Sequence, residues 1–382
     1  MYQICKRCLM DSTDNHISFD IYGICNHCHG YDKVVKTHII EEKERENLFL
    51  QIVEKIKLSG KNKKYDCITG LSGGADSSYV VYIAKKYGLR PLIVHLDNGW
   101  DDIIAVKNVQ NILKKTGFDI VELKIDKSEF VDIQRAYLEA SVVDVEVPTD
   151  MAINSVIHQM ALKYNVRYVL SGVNYETEYT MGKDWNFSKT DRSNFESIYN
   201  KYGTQKLKTF PYYSPFQQFL YRAKGIKTIN ILQYTTCNYK VIKSTLKSEF
   251  DWKDYYVKHG ESEFTKFYQS YYLPKKFGID KRRAHLSDQI RAGIIQRSEA
   301  VEIMNISPYQ SEKDEMENRN KIIKELGYTA NEFERIINTP NRSHRDFAVG
   351  EPYGNLVDRF FLKLLNSRII MGGFRRLYRC FK

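Results

Sequence analysis

A glycine turn joins an apolar run to a helical pattern in the stretch Leu71-Ser72-Gly73-Gly74-Ala75-Asp76-Ser77-Ser78. The run ends at Leu71 and the helical pattern opens at Tyr79, so strand, turn and helix follow in the order of a phosphate-binding loop. Glycines let backbone amides approach a phosphate closely, and the helix N-terminus adds a positive dipole end. The stretch is not a Walker A loop, because no lysine follows the second glycine. It predicts a phosphate site of another kind.

Short apolar runs alternate with longer amphipathic ones from Tyr65 onward. The runs that read as strands cover residues 67–71, 92–96, 118–125 and 168–170. Alternating β and α units predict an α/β fold with a doubly wound parallel sheet, in which ligands bind beyond the carboxyl ends of the strands. Helical periodicity returns over residues 285–304 and 311–337, which predicts an α-rich C-terminal part.

The pattern Ser-Gly-Gly-x-Asp-Ser resembles the signature of the PP-loop ATP pyrophosphatases. In that superfamily ATP is cleaved between its α and β phosphates, and the loop holds the leaving pyrophosphate. The resemblance implies an adenine nucleotide alpha hydrolase-like sheet, with the strand end at His95 lying by the adenosine. The predicted ATP- and pyrophosphate-binding residues are Leu71, Ser72, Gly73, Gly74, Asp76, Ser77, Ser78, His95, Asp97, Asn98 and Gly172.

Another predicted strand ends in Leu170-Ser171-Gly172-Val173-Asn174-Tyr175-Glu176, at the same edge of the sheet. Gly172 allows a close approach, while Asn174 and Glu176 can face nucleotide or substrate. Protein-bound Mg²⁺ on phosphates is usually held by one or two carboxylates plus water, which makes Asp76 and Glu176 the candidate ligands. With Ser77 they form the predicted catalytic set. The alternative is an N-cap role for Asp76 and a solvated Glu176.

Two Cys-x-x-Cys pairs lie near the N-terminus, Cys5 with Cys8 and Cys25 with Cys28. Their spacing is typical of a zinc ribbon or knuckle, and four thiolates leave no open position for water. We therefore expect Zn²⁺ in a structural role. The alternatives are that His27 or His29 replaces one thiolate, or that the pairs are redox-active.

The composition is that of a folded globular protein, with 42% hydrophobic and 27% charged residues in a chain of 382. The net charge of +11 favours anionic partners without choosing among them. No run approaches a membrane span and the N-terminus lacks a signal-peptide pattern, so a cytoplasmic location is expected. The predicted division is a zinc-binding knuckle (1–31), a connecting helix (32–60), a PP-loop domain (61–230) and an α-rich C-terminal region (231–382).

Sulfur-transferring PP-loop enzymes commonly carry cysteines near the active site. Outside the knuckle this chain has only Cys67, Cys237 and Cys380, so nitrogen transfer is favoured over sulfur transfer. Ammonia is usually supplied by glutamine hydrolysis, yet no cysteine follows Met1 and none lies in a glycine-flanked nucleophile elbow. We therefore expect a separate glutaminase subunit as partner.

Four segments together resemble the N-acetyl sugar amidotransferase family of the WbpG/PseA type: ICKRCLMDST with FDIYGICNHC, SGGADSS, HLDNGW and KRRAHLSDQIRAGIIQRSEA. The resemblance covers nearly the whole chain. It implies that ATP activates the acetamido group of an N-acetyl sugar, free or nucleotide-linked, and that ammonia converts this group to an acetamidino group. The implied setting is surface-glycan biosynthesis, with a glutaminase paired as in imidazole-glycerol-phosphate synthase and with ATP, Mg²⁺ and structural Zn²⁺.

The late basic segment could neutralise pyrophosphate or a sugar nucleotide, although a charge run is also typical of a solvated helix face. Aromatic side chains after the nucleotide half suit sugar rings, and Asp150 is expected to cap a helix and to face the site. The predicted substrate-binding residues are Asp150, Asn174, Tyr175, Lys281, Arg282 and His285.

Two other functions remain open from the sequence. A PP-loop enzyme that thiolates or amidates a tRNA base would fit the basic charge but not the shortage of cysteines, so no nucleic acid is expected. A non-catalytic zinc-bearing scaffold would consume no ATP. Residues 360–382 resemble an amphipathic helix that could lie on an anionic membrane, with packing on the main domain as the alternative.

Overall fold

A five-stranded parallel sheet forms the centre of the computed structural model, which describes residues 2–38, 42–212, 214–235 and 238–350. The strand order is β3-β2-β1-β4-β5, and all four neighbouring pairs are parallel. The strands are β1 (Cys67–Gly70), β2 (Pro91–Asp97), β3 (Ile120–Lys124), β4 (Tyr168–Ser171) and β5 (Lys227–Asn230). The predicted parallel sheet is confirmed, and four of its strands lie within a few residues of their predicted positions.

Strand β5 was not predicted, and its sequence explains why. The segment Lys-Thr-Ile-Asn has two exposed residues followed by two half-buried ones, so it contains no apolar run. It lies at the edge of the sheet, where a strand pairs on one side only. Short polar edge strands are common because they discourage pairing with other chains.

Helices cover both faces of the sheet and extend into the N- and C-terminal parts. Before β4 they are α1 (Asn26–His38), α2 (Glu42–Ser59), α3 (Ala75–Lys86), α4 (Ile103–Thr116), α5 (Lys127–Glu139) and α6 (Val147–Lys163). Between residues 175 and 250 they are α7 (Tyr175–Glu178), α8 (Arg192–Tyr202), α9 (Pro215–Ala223) and α10 (Tyr239–Phe250). The remainder are α11 (Glu263–Phe267), α12 (Arg282–Arg291), α13 (Arg297–Asn305), α14 (Glu312–Glu325) and α15 (Ala330–Asn338).

The two faces of the sheet bury different helices, as a doubly wound fold requires. Cys67 and Ile93 belong to a core with side chains of α2, α3, α4 and α10. Ile68 and Leu92 point to the opposite face and pack against Val156 and Met160 of α6. Successive side chains of a strand point to opposite faces, so the apolar run of β1 serves both cores. The α/β fold class is therefore confirmed.

The C-terminal part is helical as predicted, but each of the two predicted helical runs is broken once. Gly293 (φ +73°) lies between α12 and α13, and Gly327 (φ +71°) lies between α14 and α15. Glycine reaches this left-handed conformation without the steric cost of a side chain, so it ends a helix readily. Both helices of each pair contribute to one core, Leu286 with Ala300 and Ile322 with Phe333.

The N-terminal part joins the sheet through two helices. Cys28 lies on the first turn of α1, so the knuckle and the first helix are continuous. The predicted connecting helix is found as α2, which buries Phe49, Val53 and Ile56 in the core on one face of the sheet. Among the residues that the structure describes, no helix is both long and apolar enough to cross a membrane. Residues 360–382 and Cys380 lie outside the described residues, as does Cys237.

Candidate active site at the carboxyl edge of the sheet

A cavity of about 790 Å³ opens beyond the carboxyl ends of β1, β2 and β4. Ligands of open α/β sheets bind at this edge. The phosphate loop forms one wall, the N-terminal half of α6 forms another, and residues from the α10–α11 connection close a third. Predicted site residues among its lining are Leu71, Ser72, Gly74, Asp76, Ser77, His95, Asn98, Asp150, Gly172 and Lys281.

The backbone of the phosphate loop is fixed at Gly73. This residue has φ +84°, and a Cβ atom there would lie 2.6 Å from the carbonyl oxygen of Ala105, so only glycine fits. Its own carbonyl oxygen accepts hydrogen bonds from Trp252 Nε1 (2.8 Å) and Tyr255 Oη (3.1 Å). Gly73 thus shapes the loop from behind, whereas its neighbours Ser72 and Gly74 line the cavity.

Ser72 and Ser77 tie the two ends of the loop together. Ser77 Oγ accepts from the backbone amide of Ser72 (3.2 Å) and lies 3.1 Å from Ser72 Oγ, which in turn accepts from the amide of Gly74 (3.3 Å). Ser78 was predicted to bind ATP, but its hydroxyl is buried in the helix layer and does not line the cavity. Consecutive helix residues point in different directions, so Ser78 does not share the face of Ser77, and its contact with ATP stays a prediction.

Asp76 lies on the first turn of α3 and faces the cavity. Tyr239 Oη donates to both of its carboxylate oxygens, at 2.7 and 2.8 Å. Burial raises the pKa of Asp76 to about 6, although the charge of Lys258 and the Tyr239 hydrogen bond oppose the shift. Gly172 approaches closely from β4, since a Cβ atom there would lie 3.1 Å from Asp76 Cβ. Asp76 is therefore a buried carboxylate at the mouth of the phosphate loop.

Of the two glutamates of α7, Glu178 rather than the predicted Glu176 lines the cavity. Asn174 caps α7 by accepting from the Glu176 amide, and the Glu176 carboxylate accepts from Arg45 at 2.6 Å, away from the cavity. Glu178 lines the cavity and accepts from Lys258 Nζ at 2.7 Å. Residues two apart on a helix do not share a face, so the helix phase selects Glu178. Glu176 and Asn174 lie outside the lining, and their functional roles stay predictions.

Lys258 is a half-buried cation that pairs with Glu178 and whose charge acts on Asp76. Burial lowers the pKa of Lys258, but the carboxylates of Glu178 and Asp76 outweigh this effect and raise it overall. Burial likewise raises the pKa of Glu178, yet the charge of Lys258 brings it down to about 2. A charged Lys258 paired with an ionised Glu178 is the arrangement that these shifts describe.

His95 bridges the loop and the following turn. Its Nδ1–H donates to the carbonyl oxygen of Leu71 (2.8 Å), and its Nε2 lies 2.9 Å from Asp101 Oδ2. Burial lowers the pKa of His95, but the hydrogen bond with Asp101 reverses this and the net shift is upward. Asp97 was predicted to bind ATP; instead it accepts from the Gly99 amide (2.9 Å) and pairs with Lys124 (3.1 Å), outside the cavity. Asp101 takes its place in the lining.

An acidic wall stands at the start of α6. Asp150 and Glu146 line the cavity, and Asp144 lies buried behind them. Lys189 Nζ lies 2.6 Å from Asp144 Oδ2 and 3.2 Å from Asp150 Oδ2. Glu146 Oε2 accepts from Thr265 Oγ1 at 3.3 Å. Burial, reinforced by the charge of Asp150, raises the pKa of Glu146 to about 7.

The late basic segment contributes one side chain to the cavity. Lys281 is buried in the lining, with Nζ 5.0 Å from the centre of the Tyr268 ring. Arg282 donates to Asp280 (2.7 Å) and to the carbonyl of Ile306 (2.7 Å) and lies outside the lining, so its role as a substrate ligand stays a prediction.

His285 also lies behind the cavity rather than in its lining. Its ring centre is 5.8 Å from that of His259, which does line the cavity, and burial lowers the pKa of both histidines. The contact of His285 with substrate stays a prediction. The side chain of Tyr175, a further predicted substrate ligand, lies outside the described residues.

Sequence reasoning missed the wall made by the α10–α11 connection. Glu261 accepts from Ser72 Oγ at 3.4 Å, and burial raises the pKa of this carboxyl to about 7. Tyr239, Lys258 and Glu261 occupy stretches with no clean period, so no local pattern identified them. These residues reach the cavity because the chain returns to the phosphate loop more than 160 residues later, as in the contact of Tyr239 with Asp76.

The four knuckle cysteines come together as predicted. All four Sγ atoms lie within 4.8 Å of one another. The Sγ–Sγ distances are 3.9 Å for Cys5–Cys28 and 3.7 Å for both Cys8–Cys25 and Cys25–Cys28. Four thiolates at about 2.3 Å from a zinc ion form a tetrahedron with edges of about 3.8 Å, so the cluster could bind a metal such as zinc. His27 pairs with Asp14 and His29 with Asp20. The four thiols thus complete the group without a histidine.

Arg291 connects this cluster to α12. Its guanidinium lies 3.7 Å from Cys8 Sγ and 3.6 Å from Cys28 Sγ, and it donates to Asp288 at 2.8 Å. The side chains of Arg291 and Asp288 are both fully buried. A tetrathiolate site with Zn²⁺ carries two net negative charges, which a buried guanidinium would partly neutralise. The same helix begins beside Lys281 of the cavity.

Residues 261–359 match the family model described as "LPS biosynthesis protein WbpG-like, C-terminal domain". This part of the chain is WbpG-like. The predicted resemblance is confirmed for this region, which includes the cavity residues Glu261, Thr265 and Lys281.

Other proteins are similar to parts of this chain. An uncharacterized protein of Methanocaldococcus jannaschii, MJ1599, is 30% identical over 130 residues, which are 34% of this chain and 45% of that protein. The NMN synthetase of Francisella tularensis gives a TM-score of 0.27 at 16% identity, covering 37% of this chain and 58% of that one. The NH3-dependent NAD synthetase of Campylobacter jejuni gives a TM-score of 0.30 at 13% identity, covering 56% of this chain and 94% of that one. The chain thus spans about half the length of the first two proteins.

Proposed function

We propose that this protein is an ATP-dependent amidotransferase that converts the acetamido group of an N-acetyl sugar into an acetamidino group, releasing AMP and pyrophosphate. The setting would be surface-glycan biosynthesis, such as O-antigen, capsule or flagellin glycan. The observation that carries the proposal is a single cavity shared by the Ser-Gly-Gly-x-Asp-Ser loop and the WbpG-like region. An amide oxygen is a very poor leaving group, and adenylation turns it into a good one.

The residues of the loop would bind the triphosphate. Ser72, Ser77 and the Gly74 amide present donors at the N-terminus of α3, where the helix dipole also favours an anion. Asp76 and Glu178, two carboxylates of the cavity, would hold Mg²⁺, which would neutralise the departing pyrophosphate. Catalysis would then consist mainly of positioning and of charge stabilisation.

The proposed reaction has two steps. The acetamido oxygen attacks the α-phosphorus, pyrophosphate leaves, and an O-adenylyl imidate forms. Ammonia then adds to the imidate carbon, and AMP leaves with the former acetamido oxygen. The product is an amidine, which is protonated at neutral pH.

Ammonia would come from a separate glutaminase subunit. The proposal is motivated by the sequence, in which no cysteine lies in a glycine-flanked nucleophile elbow. Full activity of this protein alone with glutamine as the only nitrogen donor would contradict this part of the proposal. Activity with ammonium salts would not require the partner.

The test is incubation with ATP, Mg²⁺, an ammonium salt and diacetamido sugars, both free and nucleotide-linked. Mass spectrometry should show the exchange of one oxygen for NH, together with AMP and pyrophosphate. Asp76→Ala and Ser77→Ala should abolish the conversion, whereas Glu54→Gln, a change at an exposed residue of α2, should not. Formation of ADP, or no conversion of any N-acetyl sugar, would contradict the proposed function.

A further inference from the structure

The acidic wall of the cavity carries more negative than positive charge. Three carboxyl groups, Asp144, Glu146 and Asp150, meet two lysines, Lys189 and Lys281. Lys189 is engaged with Asp144 and Asp150, at 2.6 and 3.2 Å. If all five groups are ionised, three negative charges face two positive ones and one negative charge remains. The wall is therefore suited to a ligand that carries, or acquires, one positive charge.

Glu146 is the member of this wall with spare hydrogen-bonding capacity. The residue is only 8% exposed, yet it lines the cavity. Its Oε2 accepts from Thr265, while its Oε1 is buried and has no hydrogen-bond partner among the described residues. A buried carboxyl oxygen without a donor is costly, so a partner supplied by a ligand would stabilise it.

Glu146 and the phosphate loop contact the same short segment at the start of α11. Glu261, which precedes α11, contacts Ser72 of the loop, and Thr265 within α11 contacts Glu146. Groups bound at the loop and at Glu146 therefore share one side of the cavity. An acetamido group between them would have its oxygen towards the α-phosphate and its N–H towards Glu146.

This inference rests on the proposed function and adds a residue to it. We propose that Glu146 is the general base that accepts the acetamido N–H proton, and that its carboxylate then pairs with the amidinium product. As the N–H bond breaks, its electron pair forms the C=N bond of the imidate, the amide oxygen bonds to the α-phosphorus, and pyrophosphate leaves. Ammonia supplies all three N–H hydrogens of the amidinium, so the proton on Glu146 passes to solvent.

The surroundings of Glu146 suit both roles. Burial and the charges of Asp150 and Asp144 raise its pKa, Lys189 and Lys281 lower it, and the result is about 7. A general base is most effective when its pKa lies near the working pH. When the amidinium forms, the excess negative charge of the wall is neutralised without any movement of the protein.

Glu146→Gln tests the base, because glutamine keeps the shape and loses the proton acceptor. We expect kcat to fall by about 100-fold or more while the KM for ATP stays within about twofold. In the wild type kcat should rise as the pH passes through about 7, because Glu146 ionises there. In Glu146→Gln this rise of kcat should be absent. Glu54→Gln is the matched control, since this glutamate is exposed on α2.

A binding measurement decides the counter-ion role without turnover. Titration of ¹³C-labelled acetamidinium and acetamide, followed by NMR, should show that the wild type prefers the cation and that Glu146→Gln loses this preference. Equal preference in the two proteins, with kcat of the variant within about threefold of wild type, would overturn the proposal. A wild type that converts no N-acetyl sugar contradicts the proposed function instead, and the acetamidinium titration still decides whether Glu146 binds the cation.

Discussion

Two neighbouring serines of the phosphate loop have opposite environments and should respond differently to alanine. Ser77 Oγ is bonded to the Ser72 amide and to Ser72 Oγ, and it lines the cavity. Ser78 Oγ is buried without a partner among the described residues. We expect Ser77→Ala to weaken ATP binding by about tenfold or more, and Ser78→Ala to leave it unchanged.

Calorimetric titration with ATP and Mg²⁺ measures the binding, and thermal unfolding measures the stability. Removal of an unpartnered buried hydroxyl should leave the free energy of unfolding of Ser78→Ala equal to wild type or higher by about 1 kcal/mol. Loss of ATP binding in Ser78→Ala but not in Ser77→Ala would reverse the assignment of the two hydroxyls.

Gly172 is a second residue whose role follows from contact distance. A Cβ atom there would lie 3.1 Å from Asp76 Cβ and 3.2 Å from the Asp76 carbonyl carbon, so the start of α3 must shift by a few tenths of an ångström. Gly172→Ala should therefore raise the KM for ATP by about tenfold with little loss of stability. In Gly30→Ala, the control, the new atom would meet Tyr179 Oη at an ordinary 3.4 Å. If steady-state kinetics give Gly172→Ala and Gly30→Ala the same KM for ATP, the close approach of Gly172 to Asp76 has no role in ATP binding.

The site residues that sequence could identify are those that lie next to one another along the chain. The loop serines, Asp76 and the four cysteines share local motifs, and all of them except Ser78 lie where the motifs predict. Glu178 could not be chosen over Glu176, because the choice depends on where α7 begins. Glu146, Lys258 and Glu261 belong to no motif, since the fold brings them to the cavity from distant positions.

At the scale of elements, Arg291 couples the knuckle to α12 through buried charge. Arg291→Met would leave Asp288 and the cysteine thiolates without their buried cation. Removing one partner of a buried ion pair typically costs about 3–5 kcal/mol, so we expect a loss of this size in the free energy of unfolding. Zinc content per chain, measured by mass spectrometry of the metal, should fall in the same variant.

The matched control is Arg345→Met, which removes an exposed arginine. This change should alter the free energy of unfolding by no more than about 0.5 kcal/mol and leave the zinc content unchanged. Full stability and full zinc in Arg291→Met would show that the cluster needs no cation from α12. Chemical denaturation of the three proteins gives the comparison.

The sequence predicted strands and helices best where a single run or period of apolar residues corresponds to a single strand or helix. β1 and β2 are apolar on both faces, so their runs were unmistakable, whereas β5 has no such run. The breaks at Gly293 and Gly327 were hidden because the apolar period continues past each glycine. Backbone conformation, rather than hydrophobic pattern, decides where these helices end.

On the scale of the whole molecule, the sheet and the C-terminal region share both their cores and their cavity. Leu246, Phe250 and Trp252 pack in the same core as Val80 of α3, and Phe333 packs in the same core as Phe130 of α5. The cavity likewise takes Lys258 and Glu261 from beyond residue 230. The fragment 1–230 should therefore fail to unfold cooperatively and should not bind ATP.

Thermal unfolding and ATP titration of this fragment beside the full chain provide the measurement. Each large buried side chain that is removed from a core costs several kcal/mol of folding free energy. The fragment lacks all the core residues beyond residue 230, so the total loss exceeds the stability of an ordinary domain. A fragment 1–230 that unfolds cooperatively and binds ATP with the affinity of the full chain would show that the C-terminal region is dispensable for the phosphate site.

The fate of the acetamido oxygen tests the central claim most directly. An N-acetyl sugar labelled with ¹⁸O in its acetamido carbonyl is converted in the presence of ATP, Mg²⁺ and ammonium, and the products are examined by ³¹P NMR and mass spectrometry. Adenylation of the amide predicts that the label appears in AMP and not in pyrophosphate. Unlabelled AMP, or label retained in the sugar while ADP accumulates, would contradict it.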